Sequence, residues 1–159
     1  MSEIRYVVGD ATSPEGDGEK VIVHICNDIG GWGAGFVLAI SRRWPEPEAH
    51  YRAWFEGRAG NDFSLGAVCV VSVAPGLYVA NLIGQRDVVA GPDRPPVRYD
   101  AIEAGLTALA DELVAMDGSA HMPRIGCGLA GGDWGVVSSI VDRTLVDRHV
   151  PVTVYDLPS

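Results

Sequence analysis

The chain is poor in cysteine, in cations and in long apolar runs, and each scarcity excludes something. Its three cysteines, Cys26, Cys69 and Cys127, are an odd number, and no histidine stands at a zinc-ligand spacing from them. Neither a disulfide framework nor a metal is expected, which leaves the reduced thiols of a cytoplasmic protein. No stretch approaches the roughly 20 apolar residues of a membrane span, and Met1 to Asp10 holds no basic segment followed by an apolar core, so no membrane partner is expected. Only 12 basic residues face 21 acidic ones, a net charge of −9, and such a field repels nucleic acid; general nucleic-acid binding is not expected. An anionic small ligand would then be held by backbone N–H groups and helix termini.

What the chain has is apolar residues and glycine. At 159 residues and 47% hydrophobic composition it suffices for one core, and a single domain over residues 1–159, acting as a monomer, is expected. Ile4 to Val8 reads as a first strand ending at Gly9-Asp10, and Ala11 to Glu19 as a loop. Val21 to Cys26 is the near-continuous apolar run of a strand buried on both faces, with His24 inside it. Phe36 to Trp44 predicts a helix stopped by Pro45, and Pro47 to Phe55 a second one. Ala67 to Val73 and Leu77 to Ile83, divided by Ala74-Pro75-Gly76, predict a hairpin. Val88 to Pro96 is a surface loop.

Ile102, Leu106, Leu109, Leu113 and Met116 recur at spacings of three and four and predict a helix from Tyr99 to Met116. Met122 to Ile125 reads as a strand, Val136 to Arg148 as a helix with Asp142, Arg143, Asp147 and Arg148 outward, and Val152 to Tyr155 as the closing strand. Strands interleaved with helices imply an α/β fold: a three-layer α/β/α sandwich on a mixed, mostly parallel sheet.

Two glycine-rich segments, Gly30-Gly31-Trp32-Gly33-Ala34-Gly35 and Gly126-Cys127-Gly128-Leu129-Ala130-Gly131-Gly132, each lie between a strand's C-terminal end and a helix's N-terminal end. Ligands collect there in open α/β sheets, and absent side chains let amides approach a diphosphate. Each could also be only a tight connection. Gly126 to Gly131 matches the G-x-G-x-x-G spacing, yet it falls late in the chain and Asp147, the acid about 20 residues on, sits in a predicted helix; a dinucleotide fold is not supported. The phosphate-binding lysine pattern of nucleoside triphosphatases is absent as well.

His24-Ile25-Cys26-Asn27, Gly31-Trp32-Gly33-Ala34-Gly35-Phe36 and Met122-Pro123-Arg124-Ile125-Gly126-Cys127-Gly128-Leu129 together resemble macrodomains. The branch they resemble holds the terminal ADP-ribose glycohydrolases acting on glutamate side chains and the yeast-type ADP-ribose 1″-phosphatases. The resemblance runs from Tyr6-Val7-Val8-Gly9-Asp10 to Val152-Thr153-Val154-Tyr155. It implies ADP-ribose as ligand or product, an ADP-ribosylated protein as partner, and no required cofactor. By the same resemblance Asp10, with Gly9 and Ala11 beside it, would meet the adenine amino group, unless it is an N-cap or turn aspartate. Asn27 would contact the distal ribose, Gly33, Ala34, Gly35 and Phe36 the diphosphate, and Gly126, Cys127, Gly128, Leu129 and Ala130 would close over the phosphates. Tyr155 and Leu157 lie where adenine packs, or belong to the sheet core. Trp32 covers the distal ribose or anchors its loop.

The sequence departs from the glutamate-directed glycohydrolases at two places. No lysine follows the hairpin's second arm, which ends Ile83-Gly84-Gln85-Arg86, and Ala130 stands where an aspartate follows Gly-Cys-Gly-Leu. Asp133 is then the first catalytic candidate, as a base for water, although an aspartate before a helix also serves as its cap. His24 is the second, with a buried core histidine as the alternative, and Asp28, at the loop mouth, the third. The activity expected is metal-independent hydrolysis of the ester joining ADP-ribose to an acidic side chain. Removal of a 1″-phosphate, or ADP-ribose reading without turnover, stands beside it.

Overall fold

A computed structural model describes residues 3–86, 96–128 and 130–158. In chain order these form β1 (Arg5–Val8), β2 (Lys20–Asn27), α1 (Phe36–Arg43), α2 (Glu46–Glu56), β3 (Val68–Ala74), β4 (Leu77–Gln85), α3 (Tyr99–Met116), β5 (Ser119–Met122), α4 (Trp134–Thr144) and β6 (Val152–Asp156). Among the described residues the strands make one six-stranded sheet in the order β1-β6-β5-β2-β4-β3. Every pairing is parallel except the β3–β4 hairpin at one edge. The expected mixed, mostly parallel sheet is found.

Alternation along β2 builds the layers, since successive side chains point to opposite faces. Val21 and Val23 join the core beneath α3 and α4, with Leu106, Leu109, Leu113, Val137 and Ile140. Ile22 and Cys26 join a second core beneath α1 and α2, with Trp32, Ile40, Tyr51 and Phe63. α3 lies close on β4 because Gly105 has no side chain: a Cβ there would come 2.5 Å from Leu82.

Two expected elements are corrected. The strand expected over Met122–Ile125 is instead Ser119–Met122. Pro123 has no N–H to give a ladder flanked on both sides, so the chain leaves the sheet there. Asp117, in the left-handed region at φ 54°, turns the chain from α3 directly into β5. The helix expected over Val136–Arg148 begins at Trp134 and ends at Thr144, followed by a 3₁₀ turn at Val146–Arg148. Thr144, Leu145 and Val146 are all buried, and an α-helix cannot turn three successive residues inward. The loop expected over Val88–Pro96 lies outside the described residues up to Pro96. Its base is closed, because the Arg86 N–H donates to the Pro96 carbonyl at 2.9 Å. No helix among the described residues is long and apolar enough to cross a membrane.

Candidate functional site

Both glycine loops leave the C-terminal edge of the sheet from neighbouring strands, β2 and β5, and between them lies a cleft of about 390 Å³. It is continuous through Ile25, Ala34, Val37 and Gln85 with a second hollow of about 510 Å³. The first is walled by His24, Gly35, Phe36, Pro123, Arg124, Ile125, Gly126, Gly128 and Ala130. The second is walled by Asn27, Ile29, Gly31, Trp32 and Gly33.

Loop 1, between β2 and α1, is shaped by Asn27 and Tyr51. The Asn27 Oδ1 accepts from the N–H groups of Ile29 and Gly31, both at 3.0 Å, while its Nδ2 donates to the Gly31 carbonyl at 2.9 Å. The buried Tyr51 hydroxyl lies 2.8 Å from both the Asn27 carbonyl and Oδ1, and accepts from the Gly30 N–H at 3.1 Å. Burial pushes that phenol up, so it remains a neutral clamp. Trp32 anchors the loop: it is buried, its indole N–H donates to Ser41 Oγ at 2.7 Å, and Ser41 Oγ donates to Glu48 at 3.0 Å.

Loop 2 closes on itself, with the Gly132 N–H donating to the Gly126 carbonyl at 2.7 Å. A Cβ on Gly132 would lie 2.4 Å from that oxygen, so this glycine is required by the backbone alone. Gly33 in loop 1 and Gly128 in loop 2 differ. Neither has a left-handed φ, and among the described residues no atom beyond the chain neighbours lies within 4 Å of a Cβ built on either. Nothing among the described residues demands glycine there; what glycine preserves is open space at the hollow.

The two loop-to-helix junctions also differ in charge. α4 is capped by Asp133, whose Oδ1 accepts from the Gly135 N–H at 2.7 Å. α1 begins at Gly35, with φ 81°, no side-chain cap and no acid in its first turn. Its first residues, Phe36 and Val37, line the cleft, so the uncompensated amides of a helix N-terminus stand at the wall.

His24 is the one imidazole among the described residues that line the cleft. Its Nε2 lies 2.6 Å from Asn81 Oδ1. The Asn81 amide is oriented by its Nδ2, which donates to the Pro47 carbonyl at 3.0 Å, so His24 Nε2 carries the proton and Nδ1 the lone pair. That Nδ1 is buried without a hydrogen-bond partner among the described residues. Burial lowers the imidazole from near 6.5 to about 4. Trp32 packs edge-on at 5.4 Å and Phe36 at 6.1 Å against the ring.

With this geometry in view, the comparisons decide the family. No protein-family model matches the chain. A macrodomain protein from Streptomyces coelicolor is 55% identical, with a TM-score of 0.86 over 97% of this chain and 99% of that one. The chain belongs to the macrodomain family. A Bacteroides thetaiotaomicron protein of solved structure is 52% identical, with a TM-score of 0.95 over 98% of this macrodomain and 99% of that chain. The mouse chromodomain-helicase-DNA-binding protein 1-like is 29% identical over 99% of this macrodomain, which spans only 18% of that protein's length. An ADP-ribose 1″-phosphate phosphatase of the yeast Meyerozyma guilliermondii is 24% identical over 98% of this macrodomain and 99% of its own length.

The macrodomain fold brings to the hollows His24, Asn27, Trp32, Gly33, Ala34, Gly35, Phe36, Gly126, Gly128 and Ala130. Asp133 and Asp28 line neither hollow. Cys127 sits in loop 2 with its thiol donating to the Ile125 carbonyl at 3.3 Å, pushed up by burial. Leu129 lies outside the described residues.

The expected adenine end, Gly9, Asp10, Ala11, Tyr155 and Leu157, sits at the β1–β6 side of the same edge, outside both hollows. Asp10 is an Asx turn: its Oδ1 accepts from the Thr12 hydroxyl at 2.7 Å and the Thr12 N–H at 2.8 Å. The Thr12 hydroxyl, then its amide and Arg43, hold that carboxyl below the usual range. Tyr155 is buried and Leu157 exposed. Sequence reasoning passed over Tyr51, Gln85 and Arg124 as site residues. Arg124 and Gln85 had a signal available, since each stands inside a segment already singled out; Tyr51 had none, because its partner Asn27 lies 24 residues away.

Proposed function

We propose that this macrodomain binds ADP-ribose across the C-terminal edge of its sheet and hydrolyses the ester joining the distal ribose to an acidic protein side chain. The observation that carries the reading is the pair Gly33 and Gly128, one per loop, each glycine without a structural reason and each facing open space. Such clearance lets backbone amides reach a diphosphate, and the uncapped start of α1 supplies the partial positive charge. In the reaction, water oxygen bonds to the anomeric carbon, the carbon–carboxylate bond breaks, and the carboxylate leaves with the bonding electrons while the water's proton passes to solvent. The carboxylate is a good leaving group, so no metal is required in this reading.

Among the three catalytic candidates, His24 is the one lining the cleft. An imidazole lowered to about 4 does not retain a proton at neutral pH, so its Nδ1 orients the water or a ribose hydroxyl as an acceptor instead of storing the proton. Asp133 shapes loop 2 by capping α4. A second reading, removal of a 1″-phosphate, is supported by the yeast relative's activity and by the Trp32-Gly33 form of loop 1. A reader without turnover is supported by Gln85 at the strand end, where the glycohydrolases carry lysine.

The test is mass spectrometry of a glutamate-ADP-ribosylated protein incubated with wild type, His24→Gln and Asp133→Asn, beside calorimetry with ADP-ribose. Release by wild type and Asp133→Asn but not by His24→Gln is expected. Loss of release in Asp133→Asn alone would return the catalytic role to Asp133, and tight binding without release would make the protein a reader.

A further inference from the structure

Charge is distributed against the grain of the chain at the cleft. The protein carries 21 acidic and 12 basic residues, yet no carboxylate is among the residues described as lining either hollow, and Arg124 is their one charged residue. Arg124 stands two residues beyond the end of β5. Its Nε donates to Asp156 Oδ1 at 2.8 Å and its Nη2 to Asp156 Oδ2 at 3.0 Å. The guanidinium carbon lies 5.4 Å from the Tyr6 ring centre and 5.5 Å from that of Trp134. Those two rings meet edge to face, and the Trp134 indole N–H donates to the Tyr6 hydroxyl at 3.1 Å.

Two strands and a helix therefore converge on one exposed cation in the segment after β5: β1 through Tyr6, α4 through Trp134 and β6 through Asp156. A surface arginine ordinarily loses rotamer freedom when it grips a ligand. Here that loss has already occurred in folding. The fork to Asp156 uses Nε and Nη2, and among the described residues Nη1 makes no hydrogen bond. The arrangement suits a preorganised planar donor, a task lysine cannot perform with the same geometry.

We infer that Arg124 is a ligand-binding residue whose free Nη1 donates to a phosphate of the ligand, across the cleft from the amides of α1. This rests on the reading of the cleft as an ADP-ribose site and specifies it: the diphosphate is held between a helix N-terminus and one fixed guanidinium. Asp156 is a positioning residue that holds the fork. Because Asp156 offsets the charge, affinity comes from a directed bond more than from the overall field.

Calorimetric titration of wild type, Arg124→Gln and Arg124→Lys with ADP-ribose, ADP, adenosine and inorganic pyrophosphate tests it. A charge-assisted bond predicts about 10- to 100-fold weaker binding of ADP-ribose and ADP by Arg124→Gln. Adenosine binding should stay within about twofold, a selectivity that a merely structural role would not produce. Arg124→Lys should recover only part of the loss. If wild type binds ADP-ribose and Arg124→Gln binds it equally well, or if adenosine weakens in parallel, the inference fails while the site reading stands. If wild type binds pyrophosphate in an Arg124-dependent manner but not ADP-ribose, the reading fails and the anion role of Arg124 stands.

Discussion

Two histidines lie on the same face of the central sheet, His24 on β2 and His121 on β5, and they differ in what their rings still offer. Both are buried, and burial lowers both imidazoles from near 6.5 to about 4. His121 is satisfied at both nitrogens: Nδ1 lies 2.7 Å from the Tyr155 hydroxyl and Nε2 2.7 Å from Ser119 Oγ. Through Tyr155, which accepts from the Glu15 N–H at 2.8 Å, that ring ties the 9–19 segment to the sheet. His24 is a residue of the cleft wall satisfied at Nε2 only, and its buried Nδ1 has no hydrogen-bond partner among the described residues. Burial and a lowered pKa do not by themselves distinguish the two histidines; the unspent lone pair of His24 does.

The largest effect that would sharpen this contrast is on the satisfied ring. His121→Ala leaves a cavity and strips a partner from Tyr155 and Ser119, and should cost about 3 kcal/mol in urea unfolding. ADP-ribose affinity should remain within about threefold; a collapse of binding at retained fold would erase the distinction. Next, His24→Gln keeps a donor toward Asn81 but deletes the Nδ1 lone pair. Release of ADP-ribose should fall about 100-fold, and unfolding free energy should change by less than about 1 kcal/mol.

Acid titration tests what the two rings share. Both folded values lie below the unfolded one, so between pH ~6.5 and ~4 the unfolded chain binds more protons. Stability due to these rings is complete above the unfolded value and is lost as pH falls toward the folded one. Urea midpoints of wild type should decline over that interval more steeply than those of His24→Gln; parallel curves would show that the ring is not buried neutral. The smallest effect is expected at Asp133→Asn. Asparagine caps a helix as well as aspartate, so stability should stay within about 0.5 kcal/mol and release within about twofold. A large loss of release would move the chemistry from the cleft floor to loop 2.

Much of this was legible in the residues. Periodicity placed α3 from Tyr99 to Met116 without error, because its apolar stripe is long and its caps are local. The glycine loops and their place between strand and helix were equally local signals. The end of α4 was misplaced because burial of Leu145 and Val146 overrides helical continuity, and β5 was displaced because Pro123 ends a strand whose partners lie on other segments. His121 carried no role in sequence because Tyr155, its partner, stands 34 residues away. Glycines looked alike in sequence, yet Gly132 is fixed by the Gly126 carbonyl and Gly33 by nothing among the described residues.

By itself the sequence determined the strand and helix order, the three-layer architecture and the two glycine-rich loops between strand and helix, since these follow from local propensity and from hydrophobic period. Only tertiary structure decided which side chains complete the site. It set His24 in the cleft wall with Nδ1 unpartnered among the described residues, closed loop 1 through Asn27 and Tyr51, and fixed Arg124 between Tyr6, Trp134 and Asp156. Those contacts join segments up to 128 residues apart, and no local pattern encodes a meeting that depends on how parallel strands are ordered in a sheet.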